Sequence, residues 1–278
     1  MRKAKIIILA VVIALISGSI ASPAASSPHP IPPIKNTIVV MAYNIHQGFD
    51  MDFHWNFDMA ADVIEKIDPD IIGLSESDSC RISSGNEDVV RYRADKLNMY
   101  SYFGPKTLSG TWGIALLSRY PIVDAKTYYM PSIFDQICII EAKVVINNAL
   151  YNIYVTHFGS EEGAQGDYER IMHANFTRDL ANTKTKTVVM GDFNLEPTDY
   201  YYAYLTEHLQ NAWYAVHPSG VDENGYSGYT FDWKNPAEEI DMILYSRDMV
   251  PVKCWVPTWA HASDHMPICA TFDLSQSH

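Results

Sequence analysis

The chain has 278 residues, 47% of them hydrophobic, enough for one large core or two small ones, and a formal net charge of −13. So acidic a surface lacks the basic footprint with which proteins grip long nucleic acid, which weighs against DNA as the main substrate.

The first 21 residues stand apart. Arg2, Lys3 and Lys5 precede a 15-residue apolar run, Ile6 to Ile20, and Ser19-Ile20-Ala21 offers small residues for cleavage. Together they read as a secretory signal peptide, 1–21. The alternative is an uncleaved membrane anchor, although the run is shorter than the ~20 residues of a spanning helix. Loss of the three cations would bring the charge to −16. Residues 22–35, rich in Ser, Ala and Pro, form a linker, and the folded domain is expected over 36–278.

Ile38 to Ala42 reads as a buried strand ending in Tyr43-Asn44-Ile45-His46. Ala60, Val63, Ile64 and Ile67 keep the spacing of one apolar helical face over 57–67, and Asp68-Pro69-Asp70 stops that helix. Ile71 to Leu74 is a short strand delivering Ser75 and Glu76. A second helix is expected to be capped by Asn86, with Val89, Val90, Ala94 and Leu97 as its apolar face. Strands follow at 113–118, 122–129, 137–146 and 150–156, the last two joined by the turn-forming Asn147-Asn148-Ala149. An amphipathic helix spans 166–182, and a strand then runs into Val188-Val189-Met190-Gly191-Asp192-Phe193-Asn194. Loop and short helix fill 198–233, before strands at 240–245, 250–256 and 265–272. Strands outnumber helices and are interrupted irregularly, a pattern of two stacked sheets with helices outside.

Four cysteines, Cys80, Cys138, Cys254 and Cys269, leave two outcomes open: up to two disulfides, or free buried thiols. The sequon Asn175-Phe176-Thr177 falls within a predicted helix and reads as chance.

Polar residues gather where apolar strands end: Asn44 and His46, Glu76, His157, Asp192 and Asn194, Asp241, and the pair Asp264-His265. Each alone has an ordinary structural explanation. If the strands lie in two facing sheets, however, their ends converge on one rim and gather carboxylates, amides and imidazoles in a cleft.

Five segments, MAYNIH, DIIGLSE, YVTHFG, VVMGDFN with EIDMIL, and ASDHMPI, are similar in kind and order to the endonuclease/exonuclease/phosphatase superfamily, the DNase I-like phosphodiesterases. The resemblance implies an α/β fold, a four-layer αββα sandwich of two facing mixed β-sheets with outer helices. It also implies cleavage of a phosphate ester with Mg²⁺, Mn²⁺ being the alternative ion. By the same resemblance Glu76 and Asp264 are metal ligands, His265 is the general base and Asp241 holds it. Asp192 orients the attacking water, Asn194 and His157 contact the phosphoryl group or leaving oxygen, and Asn44 binds phosphate or the water shell of the metal. Strand alternation is expected to point Asp192 and Asn194 into the same cleft. Ser75 stands where many relatives have Gln, and His46 where Asp or Asn is common.

The stretch Ser75 to Pro131 further resembles the soluble C-terminal domain of GPI-anchor lipid-remodelling proteins. That implies a phosphodiester at a lipid or inositol-phosphate headgroup, with Arg81, Asn86 and Arg91 as anion contacts. Secreted sphingomyelinase-like enzymes are the near alternative. An extracellular DNase-like endonuclease and a non-catalytic GPI- or lipid-binding module are the others. Tyr128-Tyr129 and Tyr200-Tyr201-Tyr202, with Trp255 and Trp259, would suit peripheral contact with a membrane, or ordinary packing.

Overall fold

The computed structural model describes residues 32–182 and 184–275. Residues 1–21, read above as a signal peptide, and most of the expected linker 22–35 lie outside them. Twelve strands are arranged in two six-stranded sheets. β1 (Thr37–Asn44), β2 (Ile71–Asp78), β3 (Tyr100–Pro105), β4 (Trp112–Ser118), β11 (Val250–Trp255) and β12 (Ile268–Asp273) make the first, in the order β11-β12-β1-β2-β4-β3. β5 (Ile122–Met130), β6 (Ile137–Ile146), β7 (Ala149–His157), β8 (Thr187–Asp192), β9 (Leu209–Asn211) and β10 (Asp241–Ser246) make the second, in the order β5-β6-β7-β8-β10-β9. Each sheet holds one parallel pair at its centre, β1 with β2 and β7 with β8, and is otherwise antiparallel.

Strand alternation generates the layers. Val40 and Ala42 face the second sheet, meeting Ile140, Val155 and Met190 in the central core. Met41 and Tyr43, the residues between and after them, face outward onto α1 (Phe57–Ile67) and α2 (Val89–Leu97), which contribute Ala60, Ile64, Val90 and Ala94. Ile139, Tyr154, Val189 and Met242 on the second sheet turn outward to α3 (Gly163–Ala181) and α4 (Tyr202–Thr206). A short α5 (Ala212–Val216) adds Trp213 to the central core. Helix, sheet, sheet, helix: this is the αββα sandwich. The sheets approach so closely that a Cβ on Gly73 would meet Met190 Cγ at 2.8 Å.

Several local expectations need correction. Asp88, not Asn86, caps α2, its carboxylate accepting from the Arg91 amide, while Asn86 sits in a left-handed turn two residues earlier. β3 and β9 belong to no strand read from the sequence. The last strand starts at Ile268 rather than at His265, because Pro267 has no N–H to give the ladder, and His265 instead bridges Phe231. All four cysteines are free thiols, Cys138, Cys254 and Cys269 buried and Cys80 exposed, so the disulfide alternative is not realised. Among the aromatics, Tyr201 is buried and Tyr128 and Tyr202 pack against the outer core, leaving Tyr129 and Tyr200 exposed.

Candidate active site

Three consecutive strands of the second sheet set one side of the site. His157 on β7 pairs in register with Asp192 on β8, and Asp192 pairs with Asp241 on β10. Residues opposite one another on adjacent strands share a face, so two carboxylates and an imidazole are forced into one row. Like charges directly opposite destabilise a sheet, and both carboxylates are buried, so the fold bears an electrostatic penalty here.

Gly191 is what permits this row. At φ +146° it lies between two hydrogen-bonded neighbours, and a Cβ there would come within 1.9 Å of the Thr156 carbonyl oxygen. Beyond Asp192 the chain turns: the Asn194 amide donates to Asp192 Oδ1 at 3.0 Å, and Asn194 adopts a left-handed φ of 47°. That turn, not strand alternation as expected, carries Asn194 to the cleft, where its side-chain amide donates to the Phe158 carbonyl at 3.1 Å.

The first sheet supplies the facing side. Asn44 ends β1, almost wholly buried. Its Nδ2 lies 3.0 Å from Asp192 Oδ2, 3.3 Å from Glu76 Oε1 and 3.5 Å from His265 Nε2. One amide therefore touches three of the expected functional groups. Glu76 is presented by a bulge, since the pairing of β2 with β4 slips between Leu74 and Ser77 and Glu76 takes φ +53°. A non-glycine residue held there is strained, and such strain clusters at functional positions.

His265 Nδ1 meets Asp241 Oδ2 at 2.7 Å, leaving Nε2 directed toward Asn44 and, at 3.8 Å, Asp192. Burial disfavours the imidazolium, but Asp241, Asp192 and Asp264 outweigh it and push His265 up to about 10. Burial, then repulsion from Asp241, pushes the Asp192 carboxyl up to about 7. His157, buried and beside Lys106, is held well below the ordinary histidine range and is neutral.

Asn44, Glu76, His157, Asp192, Asn194, Asp264 and His265 all line one cavity of about 380 Å³. Asp241 stands behind its wall, reached through His265. His46 is not part of the lining; its Nδ1 lies 3.7 Å from Asp264 Oδ2. Arg91 makes an exposed pair with Asp95, and Arg81 binds Gln47 and Asp78. Asn86 and Arg91 do not reach this cavity.

The donor set fits a hard divalent cation. Among the described residues Asp192, Asp241 and His265 offer ligand atoms within 4.8 Å of one another. The 2.7 Å contact of His265 with Asp241 is, however, a hydrogen bond in which the imidazole N–H donates. Glu76 has no cation partner among the described residues, and its oxygens receive only long amide contacts, from Asn44 at 3.3 Å and Gln47 at 3.4 Å. Carboxylates outnumber cations in the cavity, an imbalance that a divalent ion would offset.

Sequence reasoning missed the residues that brace this set. Ser263 Oγ donates to the Asn44 carbonyl oxygen at 2.8 Å and accepts from the His265 amide, fixing the segment ahead of β12 against the end of β1. Phe231 packs on the His265 ring at 4.8 Å, and Lys106 and Trp112 line the cavity beside His157. Their residue types carry no signal outside the fold.

The family described as "PGAP2IP, C-terminal nuclease-like domain" matches residues 35–216, spanning β1 to α5 and the strands that bear Asn44, Glu76, His157 and Asp192. The chain belongs to this family. Protein cwh43 of Schizosaccharomyces pombe is 29% identical over 163 residues, 58% of this chain and 17% of that relative. The chain thus spans only a small part of the curated relative that it matches. Its fold is that of the endonuclease/exonuclease/phosphatase superfamily. An endonuclease/exonuclease/phosphatase from Beutenbergia cavernae superposes with a TM-score of 0.71, at 18% identity, over 86% of this chain and 72% of the other. One from Bacteroides vulgatus gives 0.69 at 19%, covering 86% and 100%. The human Nocturnin catalytic domain, with a bound sulfate anion, gives 0.66 at 20%, covering 88% and 97%. At these identities the likeness speaks for the fold alone.

Proposed function

We propose that this family member is a divalent-metal-dependent phosphodiesterase that hydrolyses a phosphate ester of a lipid headgroup, of the GPI, inositol-phosphate or sphingolipid kind. The observation that carries the reading is the single cavity on which Asn44, Glu76, Asp192, His157 and the His265–Asp241 dyad converge.

Glu76, with Asp264 beside it in the cavity, would hold Mg²⁺ or Mn²⁺. When bound, such an ion acts as a Lewis acid on a phosphoryl oxygen. The protein's own groups do the rest. Positive charge brought into the carboxylate-rich cavity would offset the pull of Asp241, Asp192 and Asp264 that holds the imidazolium, and His265, once neutral, would take a proton from water at Nε2, Nδ1–H remaining bonded to Asp241. Asp241 fixes that tautomer and stabilises the imidazolium that forms. Asp192 accepts a hydrogen bond from the attacking water and aligns it. Asn44 holds Asp192 and Glu76 in place with its two amide protons and would donate to phosphate on releasing one of them, as Asn194 would after releasing the Phe158 carbonyl. Neutral His157 serves as a hydrogen-bond donor to the leaving oxygen.

The lipid assignment rests on the family and on the acidic charge, which opposes binding to nucleic acid. Residues 1–21 would export the domain or, left uncleaved, anchor it. The deciding experiment incubates the purified chain and Mg²⁺ with sphingomyelin, phosphatidylinositol, a GPI and DNA, with and without EDTA. Release of a phosphorylated headgroup or diacylglycerol-type product supports the proposal. Cleavage of DNA alone makes it a nuclease, and no turnover of any substrate leaves a binding module.

A further inference from the structure

Lys106 follows β3 directly, and its backbone N–H donates to the Trp112 carbonyl at 2.8 Å, closing the β3–β4 hairpin. The side chain runs inward and is only 3% exposed. Its ammonium donates to the His157 carbonyl at 3.2 Å and lies 5.0 Å from the Trp112 ring. It forms no ion pair with any described carboxylate, and Glu76, Asp192 and Asp135 act on it only at a distance. An ammonium has three protons to donate, and burying one without a counter-ion opposes folding. Two neighbours share the deficit: Trp112 Nε1 and His157 Nδ1 are buried with no hydrogen-bond partner.

These groups lie at a junction. Lys106, Trp112, Phe134 and Asp135 line both the catalytic cavity and a second one of about 700 Å³, so the two form one trough. The second cavity adds Arg81 and the exposed Leu108.

We propose that Lys106 is a phosphate-binding residue of the site: its ammonium takes a non-bridging oxygen of the substrate phosphate, and the second cavity receives one of the two esterified groups. The inference rests on the phosphodiesterase reading and adds to it the protein's own cation for the substrate anion. An anion at this junction would satisfy the spare ammonium protons and pair a charge that has no ion-pair partner among the described residues. Burial lowers Lys106 to about 8, so it remains charged at neutral pH.

The test compares wild type with Lys106→Met and Lys106→Gln, each checked for a cooperative thermal melt, in Mg²⁺ buffer. Inorganic phosphate is titrated by ³¹P NMR, and hydrolysis of bis(p-nitrophenyl) phosphate is followed in parallel. Loss of a charge-assisted hydrogen bond should weaken phosphate binding and lower kcat/KM by about ten- to a hundredfold. In ¹⁵N-lysine-labelled wild type, the Lys106 Nζ resonance should shift as phosphate saturates, a readout independent of whether the variants fold. An unmoved Lys106 resonance, or folded variants that bind phosphate within twofold of wild type, overturns the proposal. Wild type that binds phosphate through Lys106 yet hydrolyses nothing keeps this site and sinks the catalytic reading instead.

Discussion

His265 Nδ1 and Asp241 Oδ2 stand 2.7 Å apart, both buried, and belong to different sheets: Asp241 opens β10, and His265 lies just ahead of β12. The bond is therefore a measure of how well the sheets are docked as well as of how the His265 ring is oriented. Asp241→Asn keeps the shape and reverses the hydrogen-bonding demand on Nδ1, so the proton is driven to Nε2, the atom proposed to accept it from water. Turnover of a phosphodiester should fall by roughly 10²–10⁴ with the thermal melt nearly unchanged. Wild-type kcat in a folded variant would remove His265 from its role.

Glu76→Gln leaves the size of the side chain intact and removes its charge. In wild type, millimolar Mg²⁺ should raise Tm, because an ion bound only by the folded state stabilises it. The variant should lose most of that increment, and its Mg²⁺ activation midpoint should rise about tenfold or more. An identical Mg²⁺ titration, by melt and by rate, would place the ion elsewhere.

His173 on α3 offers a test by pH. It is fully buried, donates from Nε2 to the Pro131 carbonyl at 3.1 Å and leaves Nδ1 unpartnered. Burial depresses it from an ordinary 6.5 to about 4. Between those values the unfolded chain binds the proton and the folded one does not. Stability supplied by this group is present above pH 6.5 and is lost as pH falls toward 4, by about 3 kcal/mol in all. Urea denaturation of wild type and His173→Gln at several pH values should show a difference that is flat above pH 7 and closes on acidification. A difference independent of pH would refute the buried neutral imidazole.

Gly191→Ala should destabilise by about 3 kcal/mol or more, or move Asp192, because the new methyl meets a backbone oxygen rather than a flexible side chain. Chemical denaturation and activity both report it. An unperturbed variant would mean that the β7–β8 spacing is looser than the register implies.

Those glycine and dyad positions also mark how far the sequence could be read. VVMGDFN announced both a buried strand and a polar strand end, and the 3.6-residue spacing gave α1 within its actual bounds. Clustering of Asn44, Glu76, Asp192 and His265 was legible because each ends or follows an apolar run, and sheets deliver such ends to one rim. What was hidden depends on three-dimensional neighbours. Lys106 looks like a turn lysine until β3 folds over β4, and β3 itself, Tyr-rich and ending in Gly104-Pro105, lacks a clean alternation. Glu76 needs a register slip that no residue type signals. Asp88 displaced Asn86 as the α2 cap because capping turns on a backbone conformation, not on composition alone.

The pairing of β1 with β12 joins the first strand of the described fold to the last. The second sheet is built wholly from residues 122–246 and can close while the chain is still being made, whereas the first must wait for the final segment. His265 is carried on that segment. A nascent chain that has not yet delivered that segment would thus hold Asn44, Glu76, Asp192 and Asp241 without Asp264 or His265, and the cavity would stay incomplete until β12 pairs with β1.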